Sequence, residues 1–179
     1  MQQRNLPGVT YIVSDDHAGL SAARAAVFPA VPWQRCQFQL QQNAQAYVPR
    51  LELRAQVAQD IRTVFNSPDR AAVQLRLKLI GARYAAIAPK LATWLEENLP
   101  QGFIVFGLPT SHQRQLRTSN ALERVNQELK RRTRVAGMFP NEASVLRLVT
   151  ARLVEISEPW KTGKIYLSMN RLTQPSASF

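Results

Sequence analysis

The sequence predicts an α/β fold that is mostly α by residue count, and three observations carry the prediction. A β-branched run at Val9–Ser14 ends in two acids. An alanine-rich helical stretch and a second, alternating run follow it. From Leu51 onward the apolar residues recur at helical spacing. Strand, helix and strand in that order imply a parallel pair joined by a helical crossover.

Val-Thr-Tyr-Ile-Val-Ser at 9–14 lies between Pro7-Gly8 and Asp15-Asp16, which reads as a short buried strand with acids at its carboxyl end. Ala18 to Phe28 places Leu20, Ala23 and Val27 at helical spacing, and Pro29 and Pro32 end that helix. Trp33 to Leu40 alternates polar with apolar residues, which predicts a second strand. Leu53, Val57, Ile61, Val64 and Phe65 then mark a helix over Leu51–Phe65. Ser67-Pro68-Asp69 offers an N-cap, a proline at the first helical position and an acid for a helix from Pro68 to near Ile80. Tyr84 to Leu99 continues as one or two helices broken around Pro89, with Ile87, Leu91, Trp94 and Leu95 apolar. Gln101 to Ser119 reads as a loop that can hold one extended segment at Phe103–Phe106. A helix over Asn120–Arg134 and a last one over Asn141–Ile156 follow, and beyond Pro159 the chain reads as weakly structured. These elements divide into a strand–helix–strand part at 1–40, a helical insertion at 41–100, a loop with C-terminal helices at 101–167, and a disordered tail at 168–179.

Charge narrows the function. The 179 residues carry 23 Lys plus Arg against 12 Asp plus Glu, a formal +11 with a pI near 10.8. Such an excess suits phosphate backbones first, and anionic membranes or acidic partners after them. No run approaches the roughly 18 apolar residues of a membrane span, and no apolar stretch follows Met1-Gln2-Gln3-Arg4-Asn5, so a cytoplasmic protein is expected. A single cysteine, Cys36, excludes an internal disulfide and a multi-cysteine zinc module, with only His17 and His112 beside it.

Two constellations carry chemistry. On the helix from Asn120, Glu123 shares a face with Gln127, Lys130 and Arg134, beside an apolar stripe of Leu122, Val125 and Leu129. A carboxylate fixed among cations suits a metal or phosphate site. The same residues also fit a capping box, with Asn120 as N-cap and Glu123 reaching back to it, on a solvated basic face. Asp15 and Asp16 at a strand end suit divalent-metal chemistry, in which carboxylates from different elements converge on hard cations. They equally suit N-caps for the helix at Ala18. Trp94 and Trp160 occupy helical apolar positions and read as core. Trp33 reads as core ahead of a base-stacking role. His112 sits beside Arg114 and Arg117 as a solvated loop residue that could approach phosphates.

Several strings together carry a resemblance. They are Ser14-Asp15-Asp16-His17-Ala18-Gly19-Leu20, Trp33-Gln34-Arg35-Cys36-Gln37-Phe38, Arg117-Thr118-Ser119-Asn120-Ala121-Leu122-Glu123-Arg124-Val125-Asn126, Arg131-Arg132-Thr133-Arg134 and Phe139-Pro140-Asn141-Glu142-Ala143-Ser144. In this order, from about Leu6 to Leu167, the chain resembles the mutator-type transposases of bacterial insertion sequences.

The resemblance implies an incomplete ribonuclease-H-like fold, its C-terminal strands and helices interrupted by an all-helical insertion, and an Asp-Asp-Glu triad that binds Mg²⁺. Asp15 matches the second aspartate and Glu123 the glutamate, so both are expected to be catalytic and metal-ligating. Asn120, Arg124 and Asn126 surround Glu123 in the family pattern, with Asn120 and Asn126 in supporting roles. Arg114, Arg117, Arg124, Lys130, Arg131, Arg132 and Arg134 are expected to face DNA, namely terminal inverted repeats and target DNA. The intact family implies a homo-oligomer associated with the nucleoid.

Two departures stand out. The family's first aspartate lies on a strand upstream of the helix that ends near Gly8, and the Cys-x-x-His element has Gln39 where the histidine would stand. The expectation is therefore a truncated C-terminal part of a transposase, inactive alone, whose Val9–Ser14 strand becomes an exposed edge. The alternative is a non-catalytic basic DNA-binding protein or an inhibitor of an intact transposase.

Overall fold

The computed structural model describes residues 8–135, 139–163 and 167. The chain divides into two compact units, Met1–Thr118 and Ser119–Phe179. The expected disordered tail at 168–179 lies outside the described residues.

The first unit is a small parallel sheet followed by a helical block. Strand β1 (Ile12–Ser14) pairs in parallel with β2 (Trp33–Arg35), with Ile12 opposite Trp33 and Ser14 opposite Arg35. Helix α1 (Ala18–Val27) makes the crossover between them. Its cap is His17, whose Nδ1 accepts from the Gly19 amide at 3.2 Å, so neither Asp15 nor Asp16 is spent on capping.

The second strand is shorter than the alternation at Trp33–Leu40 predicts. It stops at Arg35, and α2 (Gln37–Ala44) begins at once. Helical spacing wins because Gln37, Leu40 and Ala44 all bury on one face while Phe38 stays 40% exposed. The Gln37 amide also leaves the sheet and donates to the Arg117 carbonyl at 3.0 Å. Glutamine is a good helix former, and its alternation with apolar residues mimics a strand without being one.

Helices α3 (Leu51–Phe65), α4 (Arg70–Ala85) and α5 (Pro89–Asn98) enclose the core with α2. Val57, Ile61, Val64, Val73, Tyr84, Leu91, Leu95 and Leu99 are almost fully buried there. Asp60 sits within this apolar set and is held by three donors: Tyr84 Oη at 2.7 Å, Arg83 at 2.9 Å and Gln56 at 2.9 Å. Burial first, and the Asp60 carboxylate second, push the Tyr84 phenol well above its ordinary value. The cap of α4 is Asp69, which accepts from the Ala72 amide at 2.8 Å, rather than Ser67. Ser67 instead closes α3 by donating to the Val64 carbonyl at 2.7 Å, so α4 starts after Pro68 and runs on to Ala85. Pro89 opens α5 at a position where its missing amide is harmless.

The expected loop at 101–119 is largely helical. Two 3₁₀ turns, Leu99–Gly102 and Ile104–Gly107, lead into α6 (Thr110–Leu116). They are drawn inward by Phe103 and Val105, and Phe103 meets Phe65 and Phe106 edge-on, each at 6.2 Å. His112 is buried at 2% exposure in α6 and is not the solvated histidine that its polar neighbours suggest.

The second unit is formed by α7 (Asn120–Val135) and α8 (Glu142–Thr162). Asn141 caps α8 by accepting from the Ser144 amide at 2.9 Å. The helix runs through Pro159 to Thr162, beyond the expected end at Ile156, and the Gly163 amide closes on the Pro159 carbonyl at 2.9 Å. Trp160, expected in the core, is 57% exposed, and Leu122 of the expected apolar stripe is 61% exposed. Among the described residues, no helix is long and apolar enough to cross a membrane.

Candidate active site

In the first unit the site residues gather at the carboxyl end of the two strands. The Ser14 hydroxyl donates to the Asp15 carbonyl at 2.9 Å and accepts from Trp33 Nε1 at 2.8 Å, which ties the end of β1 to β2. The Trp33 ring carries the Arg24 guanidinium 5.0 Å from its centre. Trp33 is thus engaged on both its edge and its face.

The two adjacent acids differ in what holds them. Asp16 lies 3.2 Å from the guanidinium of Arg35, whose side chain is 7% exposed. Arg35 also donates to Asn98 Oδ1 at 3.1 Å and Gln101 Oε1 at 3.4 Å, anchoring β2 to the helical block. Asp15 is exposed, and no described cation pairs with its carboxylate. The buried Cys36 Sγ lies within 4.8 Å of an Asp15 carboxylate oxygen. Thiolate is a soft ligand and carboxylate a hard one, so this edge offers a hard cation one good donor, Asp15.

In the second unit α7 repeats that division. Ser119 is the residue whose carbonyl accepts the first helical bond, from the Glu123 amide at 3.0 Å, so Ser119 takes the cap position expected of Asn120. Asn120 is instead an exposed first-turn residue. The Ser119 hydroxyl also donates to Glu123 Oε1 at 3.0 Å, and Glu123 is half-buried with no described cation on it. Glu128, one turn further, is held by Arg131 at 2.9 Å, Arg132 at 3.3 Å and Arg152 of α8 at 2.6 Å. Those hydrogen bonds, Arg131's foremost, hold its carboxyl down at about 2.

The expected DNA-facing cations therefore fall into groups. Arg131 and Arg132 are engaged with Glu128, while Arg124, Lys130 and Arg134 are exposed on α7 with no described carboxylate on them, and Asn126 is exposed among them. Arg114 is exposed on α6. Arg117 is half-buried and donates to Asn66 Oδ1 at 2.9 Å; burial first, and then Arg114, lower its guanidinium pKa.

The family model described as "Transposase, Mutator family" matches residues 1–163. The chain belongs to the mutator family of transposases. It is 54% identical over 167 residues to the transposase for insertion sequence element IS406 of Burkholderia multivorans, covering 93% of this chain and 43% of that protein. It is 37% identical to the ISRM5 transposase of Rhizobium meliloti, over 97% of this chain and 44% of the relative. With the IS1081 transposase of Mycobacterium tuberculosis the identity is 34%, over 98% and 42%. The chain thus spans less than half the length of these curated relatives.

Three residues of this mutator-family chain carry weight that the sequence reading did not assign. Arg35 is the buried hub beside the acids, and an arginine in an otherwise uncharged strand was the available signal. Arg152 ties α8 to α7 through a partner 24 residues away, which periodicity cannot reveal. Gln37, read as a strand position, lies at the start of α2 with one amide end fixed and the other unpartnered.

Proposed function

We propose that Asp15 and Glu123 are metal-ligating, catalytic carboxylates for DNA cleavage and strand transfer at insertion-sequence ends, on a ribonuclease-H-like core. One observation carries this reading: in each unit one acid is taken up by arginine, Asp16 and Glu128, while Asp15 and Glu123 have no cation on them among the described residues. A carboxylate that ligates metal has to be hydrogen-bonded into position yet not neutralised by a protein cation. The Ser119 hydroxyl does this for Glu123, while at Asp15 the Ser14 hydroxyl holds the backbone carbonyl rather than the carboxylate.

Each of these carboxylates is a hard oxygen donor, which fits Mg²⁺ better than a softer metal. When bound, such an ion would polarise the phosphodiester and stabilise the attacking and leaving oxygens. The chain's own contribution beyond ligation is electrostatic. Arg124, Lys130 and Arg134 on α7 attract the phosphate backbone, and the first unit carries an exposed cation of its own in Arg114.

Calorimetric Mg²⁺ titration with Asp15→Ala, Glu123→Ala and Asp16→Asn tests the reading. Weak binding lost in the first two and kept in the third is the expected result; loss in Asp16→Asn alone would overturn it. Mg²⁺-dependent nicking of inverted-repeat DNA should follow the same pattern. The formal +11 favours a second reading, a basic DNA-binding protein without catalysis. It predicts salt-sensitive binding that survives Glu123→Gln and weakens when Lys130 and Arg134 are neutralised, with no nicking.

A further inference from the structure

Helix α8 carries an apolar stripe that its contacts with α7 leave open. Leu146, Leu153 and Trp160 recur every seven residues and are 56%, 41% and 57% exposed. A period of seven keeps these side chains on one side of the helix for about 21 Å, the spacing of helices that pack along one another. Thr150, Val154 and Ser157 fill the same strip, so it holds no charged residue in a chain of formal +11. The Ser157 hydroxyl donates to the Val154 carbonyl at 2.8 Å and can be covered without leaving a donor unmet. Arg152 lies round the helix from the stripe and meets Glu128 of α7 at 2.6 Å, with Leu148 and Ile156 half-buried one turn to either side. No described residue of α7 or α8 is fully buried. Two helices in that state are half of a bundle.

We propose that this stripe docks against the same stripe of a second copy, the two α8 helices running antiparallel with Leu153 at the two-fold axis. Charge sets both occupant and direction. Arg147 and Glu158 are exposed and lie eleven residues apart, about three full turns, so both stand on one flank of the stripe, away from Arg152. The midpoint between Leu146 and Trp160 is Leu153 itself, and that between Arg147 and Glu158 falls between Arg152 and Leu153. A single antiparallel register therefore sets Leu146 against the partner's Trp160 and Arg147 against the partner's Glu158, at both ends of the pair. A parallel copy would set arginine against arginine and glutamate against glutamate. A polyanion finds no cation in the uncharged strip.

The inference does not depend on the DNA reading, and its test contains no DNA. Sedimentation velocity of the full chain should show dimers that dissociate on dilution. Leu153→Glu, at an exposed helical position, should weaken them by at least about tenfold. Leu75→Glu, at an exposed leucine of the first unit, should leave them unchanged. Arg147→Glu and Glu158→Arg should each weaken the dimer about twofold or more, and both exchanges in one chain should restore it. Disulfide cross-linking reads the direction, with the buried Cys36 of the wild type as background. Leu146→Cys mixed with Trp160→Cys should cross-link, whereas Leu146→Cys alone should not, because its two copies stand about 21 Å apart along the helices. Cross-linking of Leu146→Cys alone overturns the antiparallel arrangement. A monomeric wild type overturns the pairing, including one whose thermal stability falls in Leu153→Glu because the stripe is covered within the chain. So does a dimer lost in Leu75→Glu and kept in Leu153→Glu.

Discussion

The carboxylate of Asp16 lies 3.2 Å from the buried guanidinium of Arg35. Among the described residues Asp15 beside it has no such partner, so the two adjacent acids differ in what holds them. Asp16→Asn should therefore lower stability, because Arg35 would keep its burial and lose the one carboxylate that pairs with it among the described residues. Since Asp16 is half-exposed, the loss should be modest, about 1 kcal/mol, or a few degrees in thermal unfolding. Asp15→Asn should change stability by less than about 0.5 kcal/mol, as exposed substitutions without partners do. Melting curves followed by circular dichroism would compare the two, and an equal loss in both would contradict the division.

Asp60 and Tyr84 set a second expectation. Tyr84→Phe removes the 2.7 Å bond to a buried carboxylate and should cost about 1.5–3 kcal/mol, the range for hydrogen bonds to charged groups. Asp60→Ala should cost more, because it strands Tyr84 as well. Alkaline titration followed by tyrosine absorbance gives an independent check. The phenols of Tyr84 and Tyr11 are both raised above 10.0, Tyr11 by burial and Tyr84 by burial and Asp60. A raised phenol contributes stability that is fully present below its unfolded value and is lost as pH rises through the folded one. Two of the four tyrosines should thus resist ionisation until the fold itself gives way above pH 10.

Much of the helical block was legible because α3 and α5 bury apolar residues at simple helical spacing. The failures share a cause. Gln37–Ala44 and Thr110–Leu116 are short and polar, and tertiary contacts decide them: Gln37 through Arg117 and Gly102, and α6 through the turns carrying Phe103 and Val105. Local periodicity holds no trace of such contacts. Spacing alone marks Asp15 and Glu123 as either metal ligands or helix caps, and the recognisable order of several strings is what favours ligands. Their arginine-held neighbours, Asp16 and Glu128, become distinct only when side-chain contacts are known.

Gly102 is a position where the core admits no side chain. A Cβ there would lie 2.9 Å from Leu40 Cδ1 and 3.0 Å from Phe65 Cε1, both in buried residues, and 3.4 Å from Gln37 Cγ. Gly102→Ala should cost about 1–3 kcal/mol through overpacking, although alanine is otherwise the better residue for a helical turn. Paired with Leu40→Val, which makes room, part of that loss should return. Chemical denaturation of the single and double variants measures the coupling, and strict additivity would show that the clash relaxes elsewhere.

Glu128 makes the second unit depend on acid in a defined direction. Its carboxyl is depressed from 4.5 to about 2, by Arg131 first and then by Arg152 and Arg132. A depressed acid contributes stability that is present above its unfolded value and lost as pH falls through the folded one. The link between α7 and α8 should therefore hold at pH 5 and weaken between about 4.5 and 2. Side-chain carboxyl NMR of the full chain should place the Glu128 midpoint near the bottom of that window, and the helical signal of α7 and α8 should fade with it. Because Arg131 and Arg132 are solvent-facing, salt should move the midpoint upward. Glu128→Gln should remove the acid dependence of this unit and leave the Asp60–Tyr84 core unaffected, and an unchanged acid profile in that variant would show that another carboxylate governs it.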